Sequence, residues 1–172
     1  MTLDRQSLER LFEGAPRFLD RVQAAGPYAA TAALFERARS IAHAMPEPEQ
    51  IELIDAHPRL GAPPGMVSAL SHVEQGYDRE TGTPVEVAGT PVDVAAAPVD
   101  VAAELERLND AYEARFGFRY CVFVAGRPRE ALLAGFAAAL DRDRDAERTR
   151  ALDAVVDIAM DRHVKLSAEA LL

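Results

Sequence analysis

Lysine is almost missing from this chain. Lys165 is the one lysine in 172 residues, so any enzyme that builds a Schiff base on its substrate or on pyridoxal phosphate has a single residue to use. Cysteine is equally scarce: Cys121 stands alone, which rules out an internal disulfide and suits a reducing compartment. None of the ten glycines is followed two places on by another, and no Gly-Lys-Ser/Thr occurs. The dinucleotide fingerprint and the phosphate-binding loop are therefore both lacking. Histidine and cysteine never recur at His-x-x-x-His or paired spacing, and the sequence indicates no metal. No apolar run reaches the roughly 18 residues that span a bilayer, so no membrane is expected. Basic residues number 19 against 28 acidic, for a formal charge of −9. With no basic stripe to release counterions, nucleic acid is not an expected partner.

What is present is globular. Hydrophobic residues make up 49% and charged residues 27%, and the length is that of one domain able to bury a single core, taken here as residues 1–172. Met1-Thr2-Leu3-Asp4-Arg5 has no basic stretch leading into an apolar segment, and Ala170-Leu171-Leu172 is no peroxisomal tripeptide. The cytoplasm is the expected location.

Apolar spacing predicts helices throughout. Leu8, Leu11 and Phe12 recur at helical intervals; Pro16 opens a second helix with Phe18, Leu19 and Val22 that Gly26-Pro27 stops. Further helices are expected over Thr31–Met45, around Ile51–Ile54, over Met66–Gln75, Glu104–Arg115 and Arg129–Leu140, and from Ala146 to Leu171. Between Phe118 and Val124, alternating residues suggest a short extended segment. The fold class is all-α: a bundle of about seven to nine helices. From Asp78 to Ala103 the pattern breaks into three approximate seven-residue copies, each with a proline in second place (Pro84, Pro91, Pro98). Proline at that interval forbids a continuous helix, so this stretch reads as a surface loop insertion made by duplication, with a pocket lid as the alternative.

Three clusters place polar groups where the pattern predicts burial. In Asp55-Ala56-His57-Pro58-Arg59-Leu60-Gly61 the proline ends a helix and fixes His57, which suits either a terminal cap or a proton carrier at the rim of a pocket. Ser71, Glu74 and Gln75 share one helical face, where a hydroxyl, a carboxylate and an amide converge; a capping box is the other reading. Arg162 sits on the apolar stripe of the last helix, four residues after Ile158 and four before Leu166. Directed inward it needs an anion from protein or substrate; otherwise its head reaches water. Cys121, in the most apolar run, reads as a buried inert thiol.

Taken in order, His57-Pro58-x-Leu60-Gly61, Ser71-x-x-Glu74-Gln75, Leu108-Asn109-x-x-Tyr112-Glu113-x-Arg115-Phe116-Gly117-Phe118 and Arg162, with the opening Leu11-Phe12-Glu13-Gly14-Ala15-Pro16, resemble the 2-oxo-4-hydroxy-4-carboxy-5-ureidoimidazoline (OHCU) decarboxylases of urate degradation. The resemblance implies an all-α enzyme that acts on this small molecule, uses no cofactor and forms a homodimer. It implies His57, Glu74 and Arg162 as catalytic residues: His57 as acid/base, Glu74 favouring its protonated form, and Arg162 binding substrate charge. It implies substrate contacts from Pro58, Ser71 and Gln75, and from the pocket-lining segment Tyr120, Cys121, Val122, Phe123 and Val124. Two features depart from the family pattern: the insertion over about 78–103 is long, and Arg119 stands where a proline is frequent. A hydrolase of purine or hydantoin breakdown and a non-catalytic helical binding module are the competing readings.

Overall fold

Helix ends in this protein are set largely by local chemistry. The computed structural model describes residues 4–63, 65 and 100–169. They form α1 (Arg5–Phe12), α2 (Pro16–Ala24), α3 (Thr31–Ala44), α4 (Glu47–Asp55), α5 (Val101–Phe116), α6 (Glu130–Ala139) and α7 (Arg144–Glu169), and no strand occurs among the described residues. Asp4 caps α1 by accepting from the Ser7 amide at 2.7 Å. Pro16 occupies the first turn of α2, where an amide has no partner to lose. Glu47 and Glu49 place negative charge at the start of α4. Asp143 accepts from the amides of Asp145 and Ala146 to open α7, a helix of 26 residues.

The all-α expectation holds, and one helix start moves. The start expected at Glu104 lies at Val101, because Asp100 accepts from the amides of Ala102 and Ala103 at 3.1 and 3.2 Å. The last repeat copy thus supplies a helix cap, and Val101–Ala103 belong to α5 and not to the insertion. The helix expected over Met66–Gln75 lies outside the described residues, as does most of the insertion.

Helix α7 is the axis of the packing. α1, α3 and α4 all rest against it, α2 lies on α1 and α3, and α5 pairs with α6. Leu152, Val155, Val156 and Ala159 on α7 are fully buried. An aromatic group joins α5 and α6 to the loop between them: Tyr112 meets Phe118, Tyr120 and Phe136 edge-on, while Tyr120 and Phe136 stack at 3.8 Å. The segment Phe118–Val124 is irregular chain with no pairing strand among the described residues.

Candidate active site

The site begins at the end of α4. The His57 amide donates to the Ile54 carbonyl at 3.1 Å, and Pro58 then prevents another helical turn. Arg119 ties this turn down from across the fold. Its amide donates to the Asp55 carboxylate at 2.8 Å, and its guanidinium donates to the carbonyls of Asp55 and His57 at 2.8 and 3.0 Å. A proline at that position has no amide to give, so the departure from the family pattern is structurally useful. Burial raises the Asp55 pKa, with the Arg119 hydrogen bond opposing it. Downstream, Asn109 donates to the Leu60 and Leu105 carbonyls at 2.9 and 2.8 Å. Gly61 has φ +83°, and a Cβ there falls 2.9 Å from Leu105, so only glycine lets the loop lie on α5.

His57 is buried, 4% exposed, where a rim position was expected. Its Nδ1 lies 3.4 Å from the Leu53 carbonyl, an acceptor only, which assigns the ring proton to Nδ1. Nε2 is therefore the lone-pair nitrogen, and it has no hydrogen-bond partner among the described residues. Burial, and then the charge of Arg162, lower the His57 pKa to about 4, while Glu13 and the Leu53 hydrogen bond oppose the shift. Among the described residues the balance favours a neutral imidazole at pH 7; Glu74, on which the expected imidazolium depends, lies outside them.

Arg162 points inward, 1% exposed, and does not snorkel. Its guanidinium pairs with Glu13 at 2.8 Å and donates to the Leu11 carbonyl at 3.3 Å. Glu13 follows α1 directly and adopts φ +59°, ψ −152°, a conformation unfavourable for a side chain with a Cβ.

His57, Pro58 and residues 120–126 line a cleft, together with Leu60 and with Ile158, Asp161 and Lys165 of α7. The expected segment Tyr120, Cys121, Val122, Phe123 and Val124 does come to His57. Arginines hold it there. Arg150 lies over the Tyr120 ring at 4.8 Å and donates to the Cys121 carbonyl at 2.9 Å. Arg127 donates to the carbonyls of Phe123 and Val124 at 2.7 and 3.0 Å. Behind them Glu147, fully buried, pairs with Arg150 and Arg142 and accepts from the Tyr112 hydroxyl at 2.8 Å. Burial opposes its ionisation, yet these hydrogen bonds hold its pKa below the usual carboxylate value. The segment ends on Ala125 and Gly126, both with positive φ.

Of the sequence-predicted residues, His57, Pro58 and 120–124 share the cleft. Arg162 lies beside His57 but outside the cleft's described lining. Ser71, Glu74 and Gln75 lie outside the described residues. Sequence reasoning gave no site role to Glu13, Arg150 or Asp161, marked Arg119 only as a departure from the family pattern, and noted Lys165 only as the sole lysine. Glu13 stood inside the opening motif without a role, whereas Arg150 and Asp161 have no local signal, because packing alone brings them to the site.

The sequence profile of the OHCU decarboxylase family matches residues 4–163. The chain belongs to this family. Its members are carboxy-lyases that remove carbon dioxide from OHCU in urate degradation. No curated protein matches the chain in sequence. Among solved structures, OHCU decarboxylase in the presence of (S)-allantoin shares the fold with a TM-score of 0.66 at 19% identity, over 93% of this chain and 96% of that one. (S)-Allantoin synthase gives a TM-score of 0.60 at 17% identity, over 94% of this chain and 48% of that one. Membership explains the order of the four motifs along the chain, and of their described residues His57, Pro58 and Leu60 line the cleft. No helix among the described residues is long and apolar enough to cross a membrane.

Proposed function

We propose that neutral His57 is the proton carrier in a cofactor-free decarboxylation of OHCU to (S)-allantoin. In OHCU one ring carbon carries both the carboxylate and a hydroxyl and adjoins an imine carbon. As the carbon–carboxylate bond breaks, its electron pair forms a double bond to the imine carbon, and the imine nitrogen takes a proton. The resulting enol becomes allantoin's carbonyl when the hydroxyl loses its proton and the former imine carbon gains one. Overall one proton is consumed and carbon dioxide leaves. The substrate supplies its own electron sink, so the protein's share is orientation and proton delivery.

Nε2 of His57 takes the hydroxyl proton and returns it to the neighbouring carbon on the same face, which fixes the hand of the product. The observation that carries this reading is the buried imidazole that lines the cleft with an Nε2 that has no hydrogen-bond partner among the described residues. Burial, and then the charge of Arg162 held by Glu13, keep the imidazole neutral. Ser71, Glu74 and Gln75 contact the substrate, with Glu74 partnering the proton transfer and the two others reading the ureido group. Pro58 and 120–124 shape the cleft.

The protein acts as a single domain, in the cytoplasm, as a homodimer. Met160 and Val164 on α7, 43% and 66% exposed, give such a dimer apolar surface to cover. Generating OHCU enzymatically from urate and following circular dichroism tests the activity. One-handed allantoin forming faster with the wild type than with His57→Asn supports it; equal rates, or ammonia released in place of carbon dioxide, reject it.

A further inference from the structure

Arg162 was the cation expected to receive the substrate's negative charge, yet its described contacts are Glu13 and backbone carbonyls, and the cleft's described lining does not include it. The lining does hold one cationic side chain among the described residues: Lys165, the chain's sole lysine. It stands three residues beyond Arg162 on α7. Its ammonium sits 2.5 Å from the Asp161 carboxylate, one turn back, and Asp161 lines the same cleft. The two side chains are 48% and 27% exposed.

We propose that Lys165 captures the carboxylate of the incoming substrate and that Asp161 is its place-holding counter-charge while the cleft is empty. The inference rests on the decarboxylase reading of the site. A protein of net charge −9 repels an anionic substrate at long range, so a local cation at the cleft is needed to draw it in. Lysine suits this role because it is a compact charge on a flexible stem, and a half-exposed ion pair within one helix is weak enough to exchange. Weakness is also what the reaction requires. Electron density leaves the carboxylate as carbon dioxide forms, so a cation clamped tightly on that group stabilises the ground state more than the transition state. Lys165 therefore governs capture, and the chemistry proceeds at His57.

The two partners give opposite signs, which separates this role from a merely structural ion pair. With enzymatically generated OHCU, Lys165→Met raises KM about fivefold, the loss of one exposed charged contact, with kcat held within about twofold. Lys165→Arg restores most of the affinity. Asp161→Asn lowers KM, because it releases the ammonium and removes a negative charge from the cleft. Allantoin, which has no carboxylate, inhibits wild type and Lys165→Met equally. An unchanged KM in Lys165→Met, or KM changes of the same sign in the Lys165 and Asp161 variants, overturns the inference while leaving the decarboxylase reading intact. A wild-type protein without decarboxylase activity removes both.

Discussion

Replacing Arg162 by methionine deletes a guanidinium that is 1% exposed and takes away the cation 2.8 Å from the Glu13 carboxylate, itself 17% exposed. Breaking a buried pair from one side costs about 3–5 kcal/mol, because the remaining charge stays desolvated. Glu13 retains some contact with water, which puts the expected loss near the lower end, about 3 kcal/mol. For a domain of this size each kcal/mol lowers Tm by about 2–4 °C, so Arg162→Met melts roughly 6–12 °C below the parent. Adding Glu13→Gln to the same chain removes the stranded charge and recovers most of the loss, leaving a residual cost for the Leu11 carbonyl and the positive-φ backbone of Glu13. Denaturation curves of the parent, the two single variants and the double variant close the thermodynamic cycle. If Arg162→Met is as stable as the parent without ligand, Glu13 is not the group that holds the arginine, and substrate charge becomes its partner instead.

His57 predicts a pH signature: an imidazole lowered from 6.5 to about 4 refuses a proton that the unfolded chain binds. Its contribution is complete above pH 6.5 and is lost as pH falls to about 4, roughly 3 kcal/mol in all, read as the difference between wild type and His57→Asn in denaturation at each pH. The same shift keeps kcat/KM flat from pH 8 to about 5, and an acid limb near pH 6.5 contradicts the neutral-base assignment. Arg150→Met frees the Cys121 carbonyl and strips Glu147 of a partner, so kcat falls and Tm drops by several degrees; unchanged activity shows that 120–124 needs no such support. Replacing Thr83 to Ala96 by a short Gly/Ser linker leaves Tm within a few degrees, whereas Asp100→Ala costs about 1 kcal/mol through the lost cap; a large loss on shortening means that the repeat valines pack on the domain.

The sequence by itself determined the helices, because an apolar residue every three or four positions and capping residues such as Asp4, Pro16 and Asp100 act within one or two turns. It also marked His57, since a histidine between a helix end and a proline is a local pattern, and Arg162, since a cation on an apolar stripe is one too. Neither pattern carries the partner. That Arg162 meets Glu13, 149 residues earlier, and not the cleft depends on α1 lying against α7. The protonation state of His57 likewise follows from burial and from Arg162, both products of packing. The extended segment was legible at 118–124, but a sequence pattern cannot tell a sheet strand from a chain held by side chains; Arg127 and Arg150, donating to its carbonyls, decide for the second. Lys165 stood out in the sequence only as the sole lysine, and Asp161 gave no signal. An ordinary lysine–aspartate pair along a helix becomes a feature of the site only because the tertiary structure sets that turn of α7 beside His57 and Pro58.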